Sequence, residues 1–336
     1  MKVLVISDVH GSHNWEKIKY IPKDKYDYAV FLGDYFDSYS WNNKNKRFND
    51  TNKWPDQIEN VVNIINWVRE DTEHRKLLIG NHDFSYISCG RDSENVSGHQ
   101  WLHKYEIRSL ILGNYNVFDL AFECDGWVFS HAGFTYTWRS YLIKEFHSMF
   151  DKIDGNSKPD DIKYIPWDEH NWGIQFLNDT FHNLSHFHGD PNANPNFDEL
   201  LDWHGCFSST GEEKMQGCLW IRPHSLLDDA LFPNQVVGHT ALCVDEPVLL
   251  QNNRNKIMIV DSLDHDLINI FDTENPGDFM YEINYERFQK KLKKTINNIR
   301  SMKLTNPDVI KSKLIEVGIK ENSVSKYLDF MDRGLI

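Results

Sequence analysis

Short apolar runs separated by polar breaks recur along the chain: KVLVIS at 2–7, YAVFLG at 28–33, KLLIG at 76–80, NVFDLAFEC at 116–124, WVFSH at 127–131, QVVGH at 235–239 and KIMIVD at 256–261. Most are nearly continuously apolar, the pattern of strands covered on both faces. Between the second and third runs, Ile58, Val61, Val62, Ile65 and Val68 keep the three-and-four spacing of one helical face, with Pro55 in the tolerated first turn. From about 140 to 220 the pattern changes to an aromatic, His-rich stretch with loops such as DPNANPNFDE, read as an inserted cap over the core. The tail is helical: Phe288, Leu292, Ile296 and Ile299 form a stripe, Asn306-Pro307 opens a helix that stops near Gly318, and Tyr327, Leu328 and Met331 belong to another ending at Gly334. The expected organisation is an α/β catalytic domain over 1–275, carrying the cap, and a helical C-terminal extension over 276–336. No internal repeat or low-complexity segment interrupts it.

The ends of these runs are chemically unusual. The first stops at Asp8 and His10, which share one face of an extended chain and together invite a metal ion. On that stretch alone, a helix-capping Asp beside a surface His is an equal reading. The second run ends in GDYFD, with Asp34 and Asp37; the third in GNHDF, with Asn81, His82 and Asp83; later ones in SHAGF, with His131, and GHT, with His239. Ligand sites of open α/β sheets form beyond the carboxyl ends of strands. Asp8, His10, Asp34, Asn81, His131 and His239 offer oxygen and imidazole donors, too many for one tetrahedral ion. They suit two ions about 3.5–4 Å apart sharing a carboxylate, with Asp34 the natural bridge. A donor set without thiolate favours manganese, iron or zinc over a structural zinc or a calcium site. Manganese is the first expectation.

Composition narrows the function. The 336 residues include 11 Trp, 14 Tyr and 20 Phe, ample for a core. A formal net charge of -14 argues against a general nucleic-acid binder, which needs a basic surface. Metal ions would let an acidic enzyme handle phosphate. The basic stretch RFQKKLKK at 287–294 reads as a solvated face. The five cysteines are scattered, with no CxxC pair, as reduced thiols are. With Met1 and Lys2 leading directly into the first strand and no run long enough to cross a bilayer, the expected location is cytoplasmic, without membrane association. Trp15, Trp41, Trp167 and Trp172 are expected to pack, and His182, His186 and His188 to be solvated rather than to form a third metal site.

SDVHG, GDYFD, GNHD, SHAG and GHT, in that order, resemble the motif series of the calcineurin-like metallophosphoesterases. GHT in place of GHxH is similar to the branch holding the serine/threonine phosphoprotein phosphatases, the lambda-type phage phosphatases and the symmetrical diadenosine tetraphosphatases. The resemblance spans residue 8 to about 240 and implies a two-sheet β-sandwich flanked by helices. Carried over by position, it implies that Asp8, His10 and Asp34 hold one ion, and that Asp34, Asn81, His131 and His239 hold the other. It makes His82, oriented by Asp37, the general acid. The implied reaction is attack on phosphorus by a hydroxide held between the two cations. CLWIRPH at 218–224 resembles the family's W-x-R segment and makes Arg222 the candidate two-pronged phosphate clamp. One departure stands out: Ser38 and Tyr39 follow Asp37 where those branches carry an arginine, and Arg91 or Arg139 is a candidate replacement. The expected activity is that of a phosphatase on phosphoprotein or small phosphomonoesters. The alternatives are a dinucleoside polyphosphate hydrolase, a phosphodiesterase or nuclease, and, in another class, a catalytically silent scaffold. The oligomeric state is not legible.

Overall fold

The computed structural model describes residues 1–41, 47–49, 54–88, 96–152, 173–184, 201–202, 213–240, 247–261, 269–276, 298–299, 301–302, 306 and 309–313. Two compact units result, Met1–Met280 and Tyr281–Ile336. In the second, residues 298–299 and 309–313 are helical and Ile299 is buried. Phe288, Leu292, Ile296, Tyr327, Leu328 and Met331 lie outside the described residues, as do Arg91, His186, His188, Trp167 and Trp172.

The first unit carries two five-stranded mixed sheets flanked by helices. In one sheet β1 (Lys2–Ile6), β2 (Tyr28–Phe31), β5 (Arg75–Leu78) and β6 (Phe118–Asp119) run parallel, with β12 (Asn269–Asp272) antiparallel against β1. In the other the order is β10 (Val248–Gln251), β11 (Lys256–Ile259), β9 (Asn234–Val237), β8 (Trp127–Ser130) and β7 (Ala121–Cys124). There β11, β9 and β8 are parallel and the two edges antiparallel. A small hairpin, β3 (Tyr39–Trp41) with β4 (Arg47–Asn49), follows the second strand-end motif.

The continuous apolar runs are explained by cover on both faces. Val3, Val5, Val30, Leu78, Phe129, Val236, Met258 and Phe271 form a layer between the sheets. On the far side of the first sheet, Leu4, Ile6, Ala29, Phe31 and Leu77 pack under α1 (Trp54–Arg69), whose Val61, Ile64, Ile65 and Val68 are buried. Trp15 is wholly buried in that layer, as packing required. On the far side of the second sheet, Val237, Ile257 and Ile259 pack under Leu226 of α6 (Pro223–Asp229). No helix among the described residues is long and apolar enough to cross a membrane.

The run at 116–124 is not one strand. Its first part pairs in one sheet and its second in the other, and the chain crosses between them at Leu120. The crossing is pinned from α5 (Ile174–Leu184): the Asn178 carbonyl accepts from the Leu120 and Ala121 amides at 3.0 and 3.1 Å, and its amide donates to the Ala121 carbonyl at 2.9 Å. A hydrophobic run carries no mark of which sheet it joins, so periodicity alone misses this break. Within the stretch expected to be a cap, residues 153–172, 185–200 and 203–212 lie outside the described residues. α4 (Tyr136–Lys152) precedes them, and α5 buries Leu177 and Phe181 in the main core. His182 is paired with Asp119 at 2.8 Å and remains partly exposed.

Removing the three Asn178 bonds leaves two backbone amides and a carbonyl unsatisfied at a partly buried crossing. Asn178→Ala is expected to lower unfolding free energy by about 1–3 kcal/mol, read as a shift of the urea midpoint.

Candidate metal centre

Ligand-type residues stand one to four positions beyond the last residues of β1, β2, β5, β8 and β9. Sheet register brings them together. Pairing of Ile6 with Phe31 sets the Asp8 and Asp34 turns side by side, and pairing of Ser130 with Val237 does the same for His131 and His239. The backbone is bent sharply at these ends. Asp8, His10, Asp34, Asp37 and His239 have φ of 49°, 42°, 56°, 63° and 61°. Aspartate and histidine tolerate the left-handed region better than most residues, yet each such residue stores about 1–3 kcal/mol of strain. Asp125, the remaining non-glycine case among the described residues, sits in the Asp-Gly turn between β7 and β8, where a hairpin calls for it.

What holds the strained turns is a set of buried polar contacts. Asp83, fully buried, accepts from the amides of Asp34 and Tyr35, both at 2.7 Å, and of Gly80 at 3.0 Å, so one carboxylate ties the second turn to the third. The Asp34 carboxylate also accepts from the His82 amide at 3.0 Å. Gly33 and Gly80 cross so closely that a Cβ on Gly33 would strike the Gly80 backbone, and one on Gly80 the Asp34 carboxylate. The first turn is fastened to the second by the His10 and Gly11 amides on the Asp34 and Tyr35 carbonyls, at 2.6 and 2.9 Å. From α1, Gln57 accepts from the Ser38 amide at 3.0 Å, and Asn60 bridges the Trp15 indole and the Ser12 carbonyl at 2.7 and 3.0 Å. Both lie within the buried stripe of the helix, whose apolar members alone were legible in sequence.

The side chains converge on two points. One group of donors is His10, Asp34 and His82; the other is Asp34, His131 and His239, with the ligand atoms of each group within 4.8 Å of one another. Asp34 belongs to both. In the second group His131 gives its Nδ1 proton to the Leu32 carbonyl at 2.8 Å, so its Nε2 carries a bare lone pair. That nitrogen lies 2.7 Å from Asn81 Oδ1 and 3.2 Å from His239 Nδ1, while Asn81 Oδ1 and His239 Nδ1 are 3.1 Å apart. An amide oxygen facing a lone pair at this range has no proton to share, and a cation between them satisfies both. In the first group His10 Nδ1 donates to the Phe36 carbonyl at 2.9 Å and turns Nε2 toward Asp34, 3.7 Å away. Asp8 belongs to neither group of converging donors; its carboxylate accepts from the His239 amide at 3.1 Å and from the Ser7 hydroxyl, and its charge acts on Asp34.

Electrostatics point the same way. Burial, reinforced by the charges of Asp8 and Asp83, drives Asp34 well above the ordinary carboxylate range. Burial pushes His131 down to about 3, and burial with the field of Arg222 holds His239 well below the usual imidazole range. Carboxylates that resist ionisation beside imidazoles that resist protonation make a pocket short of positive charge. Divalent cations match that deficit.

His82 sits at the edge of the first group, its ring edge-on to His10 at 4.8 Å and its Nδ1 2.8 Å from Asp37 Oδ2. Asp37 is wholly buried and pushed up to about 7 by that burial, with the Tyr86 hydroxyl, which donates to Oδ1, opposing the rise. Arg222 precedes α6 and donates to the His239 carbonyl at 2.8 Å and the Thr240 hydroxyl at 3.2 Å, so it braces the last ligand turn. Arg139 lies on α4. Sequence reasoning assigned no role to Asp83, Gln57, Asn60, Tyr86 or His99. Asp83 was visible inside GNHDF, but nothing in a linear pattern shows that a carboxylate will be buried under two turns.

A family model for calcineurin-like phosphoesterases matches residues 1–234, ending just short of His239. A search of curated proteins finds no match. Among solved structures, a cold-active protein-tyrosine phosphatase of a psychrophilic Shewanella is similar at 17% identity over 81% of this chain and 75% of that one, with a TM-score of 0.45. A protein serine/threonine phosphatase from Saccharomyces cerevisiae is similar at 15% over 82% and 74%, with a TM-score of 0.39. A metallophosphoesterase from Sphaerobacter thermophilus is similar at 13% over 96% and 97%, with a TM-score of 0.35. These likenesses are distant, and the assignment rests on the family match. Because that match takes in four of the five strand-end turns whose side chains meet here, the chain belongs to the calcineurin-like phosphoesterases, a family of dimetal-dependent phosphoric ester hydrolases.

Proposed function

We propose that the protein is a phosphatase acting on phosphoprotein or small phosphomonoesters with two divalent cations, manganese first and iron or zinc next. The observation that supports this most directly is the close approach of His131 Nε2, Asn81 Oδ1 and His239 Nδ1 around Asp34, a cluster of nitrogen and oxygen ligand atoms that one cation would satisfy together. In this reading Asp8, His10 and Asp34 hold one ion, and Asp34, Asn81, His131 and His239 the other. When bound, such a pair supplies a water acidic enough to attack at neutral pH and neutralises charge on the phosphoryl oxygens. The chain supplies the rest. His82, fixed through Nδ1 by Asp37, presents its other ring nitrogen to protonate the leaving oxygen, and the Asp37 carboxylate stabilises the cationic ring. Arg222 directs guanidinium N–H groups to the phosphoryl oxygens while two others of its contacts brace His239 and Thr240. A net charge of -14 disfavours polyanionic nucleic acid as a partner, and scattered cysteines suit a cytoplasmic setting.

Para-nitrophenyl phosphate and its bis-ester, assayed with manganese beside a phosphopeptide, diadenosine tetraphosphate, a cyclic nucleotide and single-stranded DNA, test the substrate class. Monoester and phosphopeptide turnover is expected to dominate; preference for any diester or anhydride would overturn the assignment. Asp34→Asn is expected to abolish turnover. Manganese at a hundredfold excess over its Kd should stabilise the natural protein by about 2.7 kcal/mol and the variant far less, as read by thermal melting. His82→Asn should keep its metal content while turnover of an alkyl phosphate falls about 10²–10⁴-fold. Para-nitrophenyl phosphate, which leaves without a proton, should lose much less.

A further inference from the structure

The Asp37 carboxylate has two oxygens, and only one of them meets His82. Oδ2 accepts from His82 Nδ1, and Oδ1 accepts from the Tyr86 hydroxyl. The phenol oxygen in turn accepts from the Gln100 amide at 2.7 Å, so its single proton is committed to Asp37 and its orientation is fixed from behind. The Tyr86 ring is wholly buried, stacked on His99 at 4.3 Å and 13°, and edge-on to Phe36 at 5.9 Å. A second arm reaches His82 from the same stack. The Ser85 hydroxyl donates to the His82 carbonyl at 2.7 Å and lies 3.3 Å from His99 Nδ1. With the serine proton used, His99 is the donor in that contact. Ring and backbone of His82 are thus both held by groups that meet in the Tyr86–His99 pair.

Asp37 needs such a hold. Its backbone is in the left-handed region, at the turn before Ser38, so the loop sets where the residue is but not how its carboxylate is turned. A carboxylate free to rotate offers His82 Nδ1 an acceptor in only part of its range, and misalignment of this kind lowers rates without weakening binding.

We infer that Tyr86 is a positioning residue for the protonation step: its hydroxyl locks the Asp37 carboxylate so that Oδ2 stays in line with His82. The inference rests on the reading of His82 as the acid given above. Tyr86→Phe keeps the ring on His99 and Phe36 and deletes only the hydroxyl. Turnover of an alkyl phosphomonoester is expected to fall at least about tenfold, with KM and metal content unchanged and para-nitrophenyl phosphate little affected. In an Asp37→Asn background the same change should add nothing, because the hydroxyl acts through that carboxylate. A purely structural role would lower both substrates equally, or add its loss to that of Asp37→Asn; either result overturns the inference, as does full activity. The ratio of the two turnovers does not depend on how much of the preparation is folded, so partial unfolding leaves the test intact. If Tyr86→Phe does not fold at all, 3-fluorotyrosine placed at position 86 keeps the ring and strengthens the donor; a changed ratio supports the inference and an unchanged one overturns it. His82→Asn in the same assay separates the two proposals. Equal losses there would remove the acid and this inference with it, whereas selective losses there beside an unselective Tyr86→Phe would remove this inference alone.

Discussion

Lone pairs and buried carboxylates face one another across about 3 Å at the carboxyl end of two sheets. His131 gives its hydrogen away to the Leu32 carbonyl, Asn81 turns its oxygen inward, and Asp34 stands between the two groups of donors. Such an arrangement is unfavourable without cations and strongly attractive to them. Much of the rest of the fold can be understood as the means of holding it in place.

The strain in the turns illustrates this. Five non-glycine residues of these strand-end turns are held at positive φ, against a local preference for unbending. They are held by contacts from elements distant in sequence: the Asp83 carboxylate on three amides, Gln57 and Asn60 from α1, and the glycine crossing at Gly33 and Gly80. The polar residues within the buried face of α1 are therefore not defects in an amphipathic helix. They convert the rigidity of a packed helix into fixed positions for the His10 and Asp37 turns.

The same logic separates two kinds of histidine. His10, His82, His131 and His239 each have one ring nitrogen or backbone group committed to a neighbour, which orients the ring toward the shared centre. His182 instead spends its ring on Asp119 beside the crossing at Leu120 and contributes to architecture. His99 lies between these cases, outside the centre but stacked on the tyrosine that reaches Asp37.

By itself the sequence determined the strands at the centre of the two sheets, because both-sides burial forces continuous apolar runs; the edge strands β10 and β12 and the hairpin of β3 and β4 matched no such run. It also determined the residues at their ends, because a donor just past a strand has few roles in a polar, glycine-flanked turn. The helix over Ile58, Val61, Ile65 and Val68 was legible for the same periodic reason. Only the tertiary structure decided which sheet each strand joined, and so that one apparent run divides at Leu120 under Asn178. Tertiary structure also decided that Asp83 is an anchor and that Tyr86 stands behind Asp37. Periodicity reports which face of an element is dry. It does not report distance between residues 49 positions apart, as Tyr86 and Asp37 are, since that separation is set by strand order and register, which arise only when the sheets assemble.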